Sequence, residues 1–277
     1  MAIPLEDNVS DIIGKAQRGL GISDSQLAER SGVSSEKIRK LRDGDFDDDA
    51  IKLVAPVLKL DAAALRKLAA GKWNPETVGE VPGLVQFNTT YGDMTVNAYL
   101  VWDPVGRNAV AFDTGADCSE MLSRIEQEKL DVRLILLTHA HPDHVADLRR
   151  LRKETGAPVY ISDLEAEEGA EAIEEGKRFR AGTLKIEARL TSGHSPGGMT
   201  YVVSGLSRPV AIVGDSLFAG SMGGGNVSYD DALRNNREKI LTLPGETIVC
   251  PGHGPLTTVG REKRDNPFFA NRLSTGV

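Results

Sequence analysis

Two patterns of apolar and polar positions divide the chain. Apolar side chains such as Ile38 and Leu41 recur three and four positions apart over residues 1–72, the spacing that places them on one helix face. Beyond residue 82, short β-branched runs replace that spacing. The pattern predicts an all-α domain over 1–72, a Gly- and Pro-containing linker over 73–82 and an α/β domain over 83–277.

Eight apolar runs in the second region predict strands, and three longer stretches between them predict helices. The strands are VNAYLVW, AVAFD, RLILLT, PVYIS, TLKIEARL, TYVV, PVAIVGD and TIVC. The helices are CSEMLSRIEQEKL, VADLRRLRKE and YDDALRNNREKIL. Because strands and helices alternate, we expect buried sheets covered by helices, an α/β fold.

Composition narrows the class of protein without naming a function. The chain has 277 residues, 26% of them charged, and a net charge of −7, so its composition gives no general attraction to membranes or nucleic acids. Its two cysteines, Cys118 and Cys250, lie far apart and form no paired motif, which favours a reducing compartment. The start of the chain lacks the segments of a signal peptide. We therefore expect a cytoplasmic protein.

Histidine is scarce but concentrated. Of five histidines, three lie in THAHPDH over residues 138–144, directly after the predicted strand RLILLT. The other two stand at further strand-to-loop junctions, His194 in TSGHSPGG and His253 in CPGHGP, and Asp215 follows the apolar run in AIVGDSLF. A single histidine in a glycine-rich turn is usually a surface residue, but packed histidines in one loop repel one another when protonated. The cluster therefore predicts a metal site.

The spacing within this loop is compatible with one metal position or with two. His139 and His141, two apart in an extended segment, can point the same way, whereas Asp143 and His144 are offset and can face a second ion. Pro142 suits the first turn of the helix that follows, so a strand and a helix hold the loop rigidly.

The motifs THAHPDH, GHSPG, GDSLFAG and PGHGP, in that order, resemble the signature series of metallo-β-lactamase-fold hydrolases, and most of all their glyoxalase II-like branch. The resemblance covers roughly residues 80–270 and implies an αβ/βα sandwich with two divalent metals at one edge, zinc first, with iron or manganese as alternatives. It implies two ligand sets joined by one carboxylate: His139, His141 and His194; Asp143, His144 and His253; and Asp215 between them. Asp113, in AFDTG, matches a position near the metals that would orient a histidine.

Two metals about 3.5–4 Å apart lower the pKa of a bridging water toward about 7, which gives hydroxide at neutral pH. The resemblance therefore implies cleavage of a thioester or related ester, of the hydroxyacylglutathione hydrolase type, with Asp143 orienting the water or accepting its proton. Only 24 residues follow His253, too few for the helical domain with which glyoxalase II grips glutathione. Tyr201, Arg261 and Lys263 are candidate contacts to an acidic substrate.

Two other functions are also compatible with the sequence. Persulfide dioxygenases share the loop motif but keep one iron held by two histidines and an aspartate, so an oxygenase is the alternative enzyme. A regulator that binds DNA and senses a ligand through a hydrolase-fold domain is the alternative of another class.

The four glycines within residues 220–225 predict either a mobile lip or a tight turn.

The stretch QLAERSGVSSEKIRKL resembles the helix-turn-helix of phage-repressor-like DNA-binding domains, and the resemblance covers roughly residues 8–70. It implies DNA contacts from Ser34, Ser35, Lys37, Arg39 and Lys40. Residues 1–72 hold equal numbers of acidic and basic side chains, so the domain is not basic overall. DNA binding, self-association as a homodimer or with another protein, and simple stabilisation of the hydrolase all remain open.

Overall fold

The computed structural model describes residues 3–270. The outermost residues of the predicted all-α and α/β domains, 1–2 and 271–277, lie outside the described part. Five helices come first: α1 (Val9–Leu20), α2 (Asp24–Ser31), α3 (Ser35–Arg42), α4 (Asp48–Val57) and α5 (Ala62–Ala69).

Capping residues set the starts and stops of these short helices. The side chain of Ser23 accepts the backbone N–H of Gln26, and the Gln26 side chain accepts the N–H of Ser23, which completes a capping box. Ser34 caps α3 in the same position. The turn between α2 and α3 passes through Gly32 at φ 70°, a left-handed conformation that glycine adopts without strain. The predicted pair of helices and its glycine turn are therefore present.

In the part of the chain between residues 3 and 270, twelve strands form two six-stranded sheets, each in chain order. The first contains β1 (Leu84–Tyr91), β2 (Met94–Trp102), β3 (Asn108–Phe112), β4 (Asp131–Leu136), β5 (Val159–Ser162) and β6 (Ala170–Ile173). The second contains β7 (Arg178–Ala181), β8 (Leu184–Leu190), β9 (Met199–Ser204), β10 (Val210–Gly214), β11 (Ile248–Pro251) and β12 (Thr257–Thr258). β3 to β6 run parallel, as do β10 and β11, while the other neighbours are antiparallel.

Five more helices connect and cover the sheets: α6 (Ser119–Glu128), α7 (Pro142–Val145), α8 (Leu148–Thr155), α9 (Tyr229–Asn235) and α10 (Val259–Asp265). The predicted helix VADLRRLRKE is divided at Asp147, whose backbone N–H donates to the hydroxyl of Thr114 instead of continuing a helix. YDDALRNNREKIL begins as α9 and ends in a π-helical turn over residues 236–240. Prediction missed four strands, β1, β6, β7 and β12, which are short or carry many polar side chains.

The two sheets pack face to face around an apolar core, which confirms the predicted αβ/βα sandwich. Phe112 from β3 and Tyr201 from β9 meet in this core, with ring centroids 5.6 Å apart. A second cluster, around Ile135 and Leu151, packs α6 and α8 against the outer face of the first sheet. Within residues 3–270, no helix is long and apolar enough to cross a membrane.

The N-terminal helices share one apolar core with the sandwich. Ile13 of α1 belongs to the same buried cluster as Val213 of β10 and Phe269. The close approach of α1 to α9 requires a small residue, because a Cβ at Gly19 would lie 2.2 Å from the ring of Tyr229. The five helices therefore extend the helical layer over the second sheet.

Because this core is shared, replacing Ile13 by Ala should destabilise the whole molecule. We expect a loss of about 2–5 kcal/mol in the free energy of unfolding, against about 0.5–1.5 kcal/mol for the control Ile13→Val. Chemical denaturation can be followed by far-UV circular dichroism and by the fluorescence of Trp73 and Trp102, the only two tryptophans. Coincident transitions are expected. A separate early transition of the helical signal would contradict a shared core.

Glu262 of α10 is fully buried and links three parts of the chain. Its carboxylate accepts the backbone N–H of Gly220 at 2.9 Å, the side-chain amide of Asn266 at 2.8 Å and the hydroxyl of Thr257 at 2.7 Å. Burial nevertheless raises the pKa of Glu262 to about 7, against an ordinary value of 4.5. The folded protein therefore holds a proton here at pH values where the unfolded chain has lost it.

This raised pKa predicts that the free energy of unfolding falls as the pH rises from about 4.5 to about 7, by on the order of 3 kcal/mol. Glu262→Gln keeps the shape, and its amide oxygen can still accept from Gly220 and Asn266 while its amide nitrogen donates to the Thr257 hydroxyl. Because the substitution removes the titration, stability should change less across this window. Chemical denaturation at pH 5 and pH 8 tests this, with exposed Glu29→Gln as the control. Equal pH dependence in wild type and Glu262→Gln would refute it.

Candidate metal centre

The predicted ligand residues lie at the ends of strands, all at one edge of the sandwich. His139, His141 and His144 follow β4, with Asp143 and His144 in the single turn of α7. Asp215 follows β10 directly and His253 follows β11. These two strands are parallel neighbours, so their carboxyl ends bring both side chains to the same edge.

The structure groups the seven side chains into two sets, and within each set the candidate ligand atoms lie within 4.8 Å of one another. One set is His139, His141, His194 and Asp215; the other is Asp143, His144 and His253. This grouping agrees with the spacing argument from THAHPDH, which separates the first two histidines of the loop from Asp143 and His144.

Asp215 lies between the two sets. Its Oδ2 is 3.4 Å from Nε2 of His194 in the first set and 3.4 Å from Nε2 of His253 in the second. Its Oδ1 is 3.3 Å from Nε2 of His144. Within the sets, Nε2 of His194 is 3.1 Å from Nδ1 of His141. A carboxylate in this position can bridge two ions.

Hydrogen bonds from a surrounding layer fix the imidazole rings. Asp113 Oδ2 lies 2.8 Å from Nδ1 of His144, and the same carboxylate accepts the backbone N–H and the hydroxyl of Thr138. Nδ1 of His194 faces the carbonyl oxygen of Gly224 at 3.1 Å. These contacts leave the Nε2 atoms of His144 and His194 directed into the centre, as a metal-binding histidine requires. Asp113 thus holds the orienting position that the resemblance implies for it.

The backbone comes unusually close to the ligands at two glycines. A Cβ at Gly252 would lie 2.1 Å from Oδ1 of Asp215 and 2.7 Å from Cε1 of His144. A Cβ at Gly223 would lie 1.8 Å from the backbone oxygen of Asp215. Gly220 lies in a tight turn closed by backbone hydrogen bonds between Phe218 and Ser221, and Gly223, in the irregular stretch that follows, packs against Asp215. A mobile lip stays a prediction.

The donor set fits metal ions. Among the described residues, Nε2 of His139, Nε2 of His144 and Oδ1 of Asp215 are buried and have no hydrogen-bond partner. Leaving such groups buried and unpaired costs about 1–3 kcal/mol each. Divalent ions bound by these atoms would satisfy all three, and nitrogen and carboxylate oxygen are suitable donors for zinc, iron or manganese.

Burial and neighbouring charges shift the pKa values of several histidines in the centre. Burial lowers the pKa of His139 well below its ordinary value. Burial also opposes protonation of His144 and His253, but Asp215 and the other nearby carboxylates outweigh it and raise their pKa values to about 10 and about 11. A metal that binds these imidazoles must therefore displace protons.

The N-terminal region reaches the edge of this centre. Asp7 accepts hydrogen bonds from Lys15 and from the hydroxyl of Ser221, and Lys15 also donates to the carbonyl oxygen of Met222 at 2.9 Å. The ammonium group of Lys15 lies 4.9 Å from the ring centre of Phe218, and that ring is 5.8 Å from the ring of His253. Helix α1 thus holds the segment that follows Asp215.

The three candidate substrate residues lie in different environments. Tyr201 is fully buried between the sheets and its hydroxyl donates to the carbonyl oxygen of Leu137 at 2.8 Å, so the expectation that it contacts substrate is corrected. It occupies an inward position of β9, which alternation along TYVV places in the core. Arg261 is held by the backbone and carboxylate of Glu76. A substrate role for Lys263, half-buried on α10, stays a prediction.

Sequence reasoning missed the residues that hold the His253 loop. The side chain of Asn97 on β2 donates to the carbonyl oxygens of Pro251 and Gly254, at 2.9 and 2.8 Å, and Nδ1 of His253 faces the carbonyl oxygen of Thr95 at 2.6 Å. Asn97 is completely buried. An asparagine inside the apolar run VNAYLVW was the available signal, because a buried amide needs partners.

The candidate DNA contacts lie on the solvent side of the helical region. Ser34, Ser35, Lys37, Arg39 and Lys40 are all exposed. Two of the basic groups are paired with acids, Lys37 with Asp47 at 2.8 Å and Lys40 with Glu36 at 3.0 Å. DNA binding through α3 stays a prediction, and these pairs reduce the positive charge that it would use.

Comparison with known proteins agrees with the fold. The model of the metallo-beta-lactamase superfamily matches residues 91–253, more than half of the chain. The hydroxyacylglutathione hydrolase GloC of Haemophilus influenzae is 28% identical over 201 residues, which cover 64% of this chain and 93% of that protein. The probable metallo-hydrolase YqgX of Bacillus subtilis is 34% identical over 205 residues, which cover 64% of this chain and 94% of that protein.

Two solved structures are similar as well. The di-iron-bound form of TTHA1623 is 31% identical, with a TM-score of 0.54, and the match covers 66% of this chain and all of that one. ETHE1 from Myxococcus xanthus is 26% identical, with a TM-score of 0.59, and the match covers 66% of this chain and 83% of that one.

The crowding at Gly252 provides a test of the centre. Gly252→Ala should lower zinc affinity by about tenfold or more, because the new methyl group displaces Asp215 and His144. Isothermal titration of the metal-free protein measures this. The control is Gly245→Ala, since a Cβ there meets only the Cα of Gly260, at 3.7 Å. Unchanged zinc affinity in folded Gly252→Ala would exclude these two side chains as ligands.

Proposed function

Since the chain belongs to the metallo-beta-lactamase superfamily, we propose that it is a binuclear metal-dependent hydrolase that cleaves a thioester or a related ester. The similarity to GloC, named as a hydroxyacylglutathione hydrolase, supports the thioester substrate class. The di-iron form of TTHA1623 supports a centre with two metals. Zinc is the first expectation, and iron or manganese would suit the same ligands.

The observation that carries this proposal is the position of Asp215 between two complete donor sets. Three histidines and the aspartate can hold one ion, while Asp143, His144 and His253 can hold a second. A hydrolase of this kind needs both ions close together. An oxygenase with a single iron needs only two histidines and one carboxylate, and it would leave the second set without a role.

When bound, two divalent ions supply a hydroxide nucleophile at neutral pH and stabilise the oxyanion of the tetrahedral intermediate. The chain's own groups position the reactants. The Asp143 carboxylate, 3.3 Å from Nε2 of His253, can orient the nucleophilic water or take its proton. All five histidines of the chain belong to this centre, so no histidine is left to serve as the base of a serine or cysteine triad.

A thioester suits this arrangement better than an amide. Its leaving group is a thiolate, which departs without a proton donor because thiols are far more acidic than alcohols or amines. A hydrolase of this kind can therefore release a thiol without a separate proton donor. Orientation of His144 by Asp113 keeps the ligand geometry fixed during the reaction.

The test combines metal analysis with turnover. Protein purified without added metal should contain close to two metal ions per chain and should hydrolyse S-D-lactoylglutathione or a simpler thioester. His141→Ala should lose one metal equivalent and reduce kcat by a factor of about 100 or more, since His141 would hold one of the two ions on which the proposed hydrolysis depends.

Elemental analysis and thiol release measured with a chromogenic reagent check both quantities on the same sample. One iron per chain, with oxygen uptake in the presence of a persulfide, would replace the hydrolase by the dioxygenase. Full metal content and activity in His141→Ala would show that this histidine is not a ligand.

A further inference from the structure

The imidazole of His194 takes its orientation from the segment that follows Asp215. Nδ1 of His194 faces the carbonyl oxygen of Gly224 at 3.1 Å, and its Nε2 points into the centre, 3.4 Å from Oδ2 of Asp215. A metal-binding histidine is usually oriented in this way, through a hydrogen bond from its other ring nitrogen. The position of one backbone carbonyl, that of Gly224, therefore sets the direction of His194.

The N-terminal region holds this segment through a buried ion pair. The side chains of Lys15 and Asp7 are only 13% and 6% exposed, and their charged groups are in contact. The ammonium group of Lys15 also donates to the carbonyl oxygen of Met222 at 2.9 Å, and the Asp7 carboxylate accepts the hydroxyl of Ser221. Two consecutive residues of the segment are therefore fixed by charged side chains that lie outside the superfamily match.

The chain between Met222 and Gly224 has little space in which to absorb a shift. Gly223 is buried, and a Cβ there would lie 1.8 Å from the backbone oxygen of Asp215. Its backbone thus packs directly on the residue that lies between the two donor sets. Because the Gly224 carbonyl is only two residues from Met222, a displacement of Met222 would also move the hydrogen-bond partner of His194.

The chemistry of the ion pair favours a positioning role over a purely stabilising one. Taking two opposite charges out of water is costly, and a buried pair is often no more stabilising than apolar side chains of similar size. Apolar side chains at these positions could fill the space between α1 and the segment. They could not make the hydrogen bonds to Met222 and Ser221, which hold the segment at defined distances.

We propose that Lys15 is a positioning residue of the metal centre, because it keeps His194 directed toward the ion that this histidine would bind. Lys15 acts through the backbone of residues 222–224, and Asp7 holds its ammonium group in place. The inference rests on the proposed function, because it concerns the same metal centre. Zinc affinity then depends on a helix that lies outside the superfamily match.

Isothermal titration of the metal-free protein with zinc tests this. Lys15→Met keeps the length of the side chain but removes its charge and its hydrogen bonds. It should lower the affinity for one of the two zinc ions by about tenfold, the effect expected when the orientation of a ligand is lost. Because Lys15→Met leaves the Asp7 carboxylate buried without its cation, a second variant combines it with Asp7→Asn, and the same loss is expected there.

Lys52→Met is the matched control. Lys52 also belongs to the N-terminal helices and pairs with an aspartate, Asp48 at 2.8 Å, but it is exposed on α4. Its replacement should leave zinc affinity unchanged, and far-UV circular dichroism verifies that each variant is folded. Unchanged zinc affinity in the folded Lys15 variants, or an equal loss in Lys52→Met, would overturn the inference.

The His194→Ala background distinguishes a positioning role from a merely structural one. Without the imidazole there is no ring left to direct, so the zinc that still binds should do so with the same affinity, within about twofold, whether or not Lys15 is replaced. A structural role for Lys15 would weaken binding by the same factor with either residue at position 194. That result would overturn the inference.

Zinc titration involves no turnover, so it separates this inference from the proposed reaction. Zinc binding with no thioester cleavage in wild type would refute the proposed reaction, while the ratios of zinc affinity still decide the role of Lys15. Absence of zinc binding to the wild-type protein would overturn both.

Discussion

The structure depends on bringing seven imidazole and carboxylate groups together inside a protein that offers them too few hydrogen-bond partners. His139, His144 and Asp215 each keep a buried atom unpaired, an arrangement that is costly unless cations are bound. Most of these groups lie at strand ends, at one edge of the sandwich. Regular backbone hydrogen bonding stops there, but the adjoining sheets hold the side chains in place. Two of the rings are oriented by hydrogen bonds on the side away from the centre, His144 by Asp113 and His253 by the backbone of Thr95.

Close approach of the backbone is the second consequence of this crowding. Gly252 and Gly223 have no space for a methyl group because Asp215 occupies it. Asp113 adopts a left-handed backbone with φ 55°, which is unfavourable for residues other than glycine, although aspartate tolerates it better than most. Its two oxygens serve Thr138 and His144 from that conformation. The strained backbone of Asp113 is thus found where its side chain orients the candidate ligand His144.

The sequence specified the centre better than its surroundings. Four short motifs identify all seven candidate ligands, because metal ligation restricts residue types at fixed spacings. Alternation along TYVV would have placed Tyr201 in the core, yet its polar hydroxyl made it a candidate for substrate. The packing of Gly19 on Tyr229 and of Glu6 on Gly254 left no local signal, since such contacts join positions far apart in the chain and depend on how whole elements pack. A short motif therefore indicates the chemistry of a site. The position of the N-terminal helices depends instead on apolar contacts made by many helices and strands.

That placement links the stability of the N-terminal region to the geometry of the centre. The segment after Asp215 is held from both ends of the chain: Asp7 and Lys15 bind Ser221 and Met222, while Glu262 binds the N–H of Gly220. A disturbance of the apolar contacts between α1 and the second sheet would therefore reach Asp215 through a segment with three independent anchors. A domain attached only by a flexible linker could not transmit such a disturbance. The helical region therefore packs against the segment that follows Asp215, and binding through its exposed α3 surface stays a prediction.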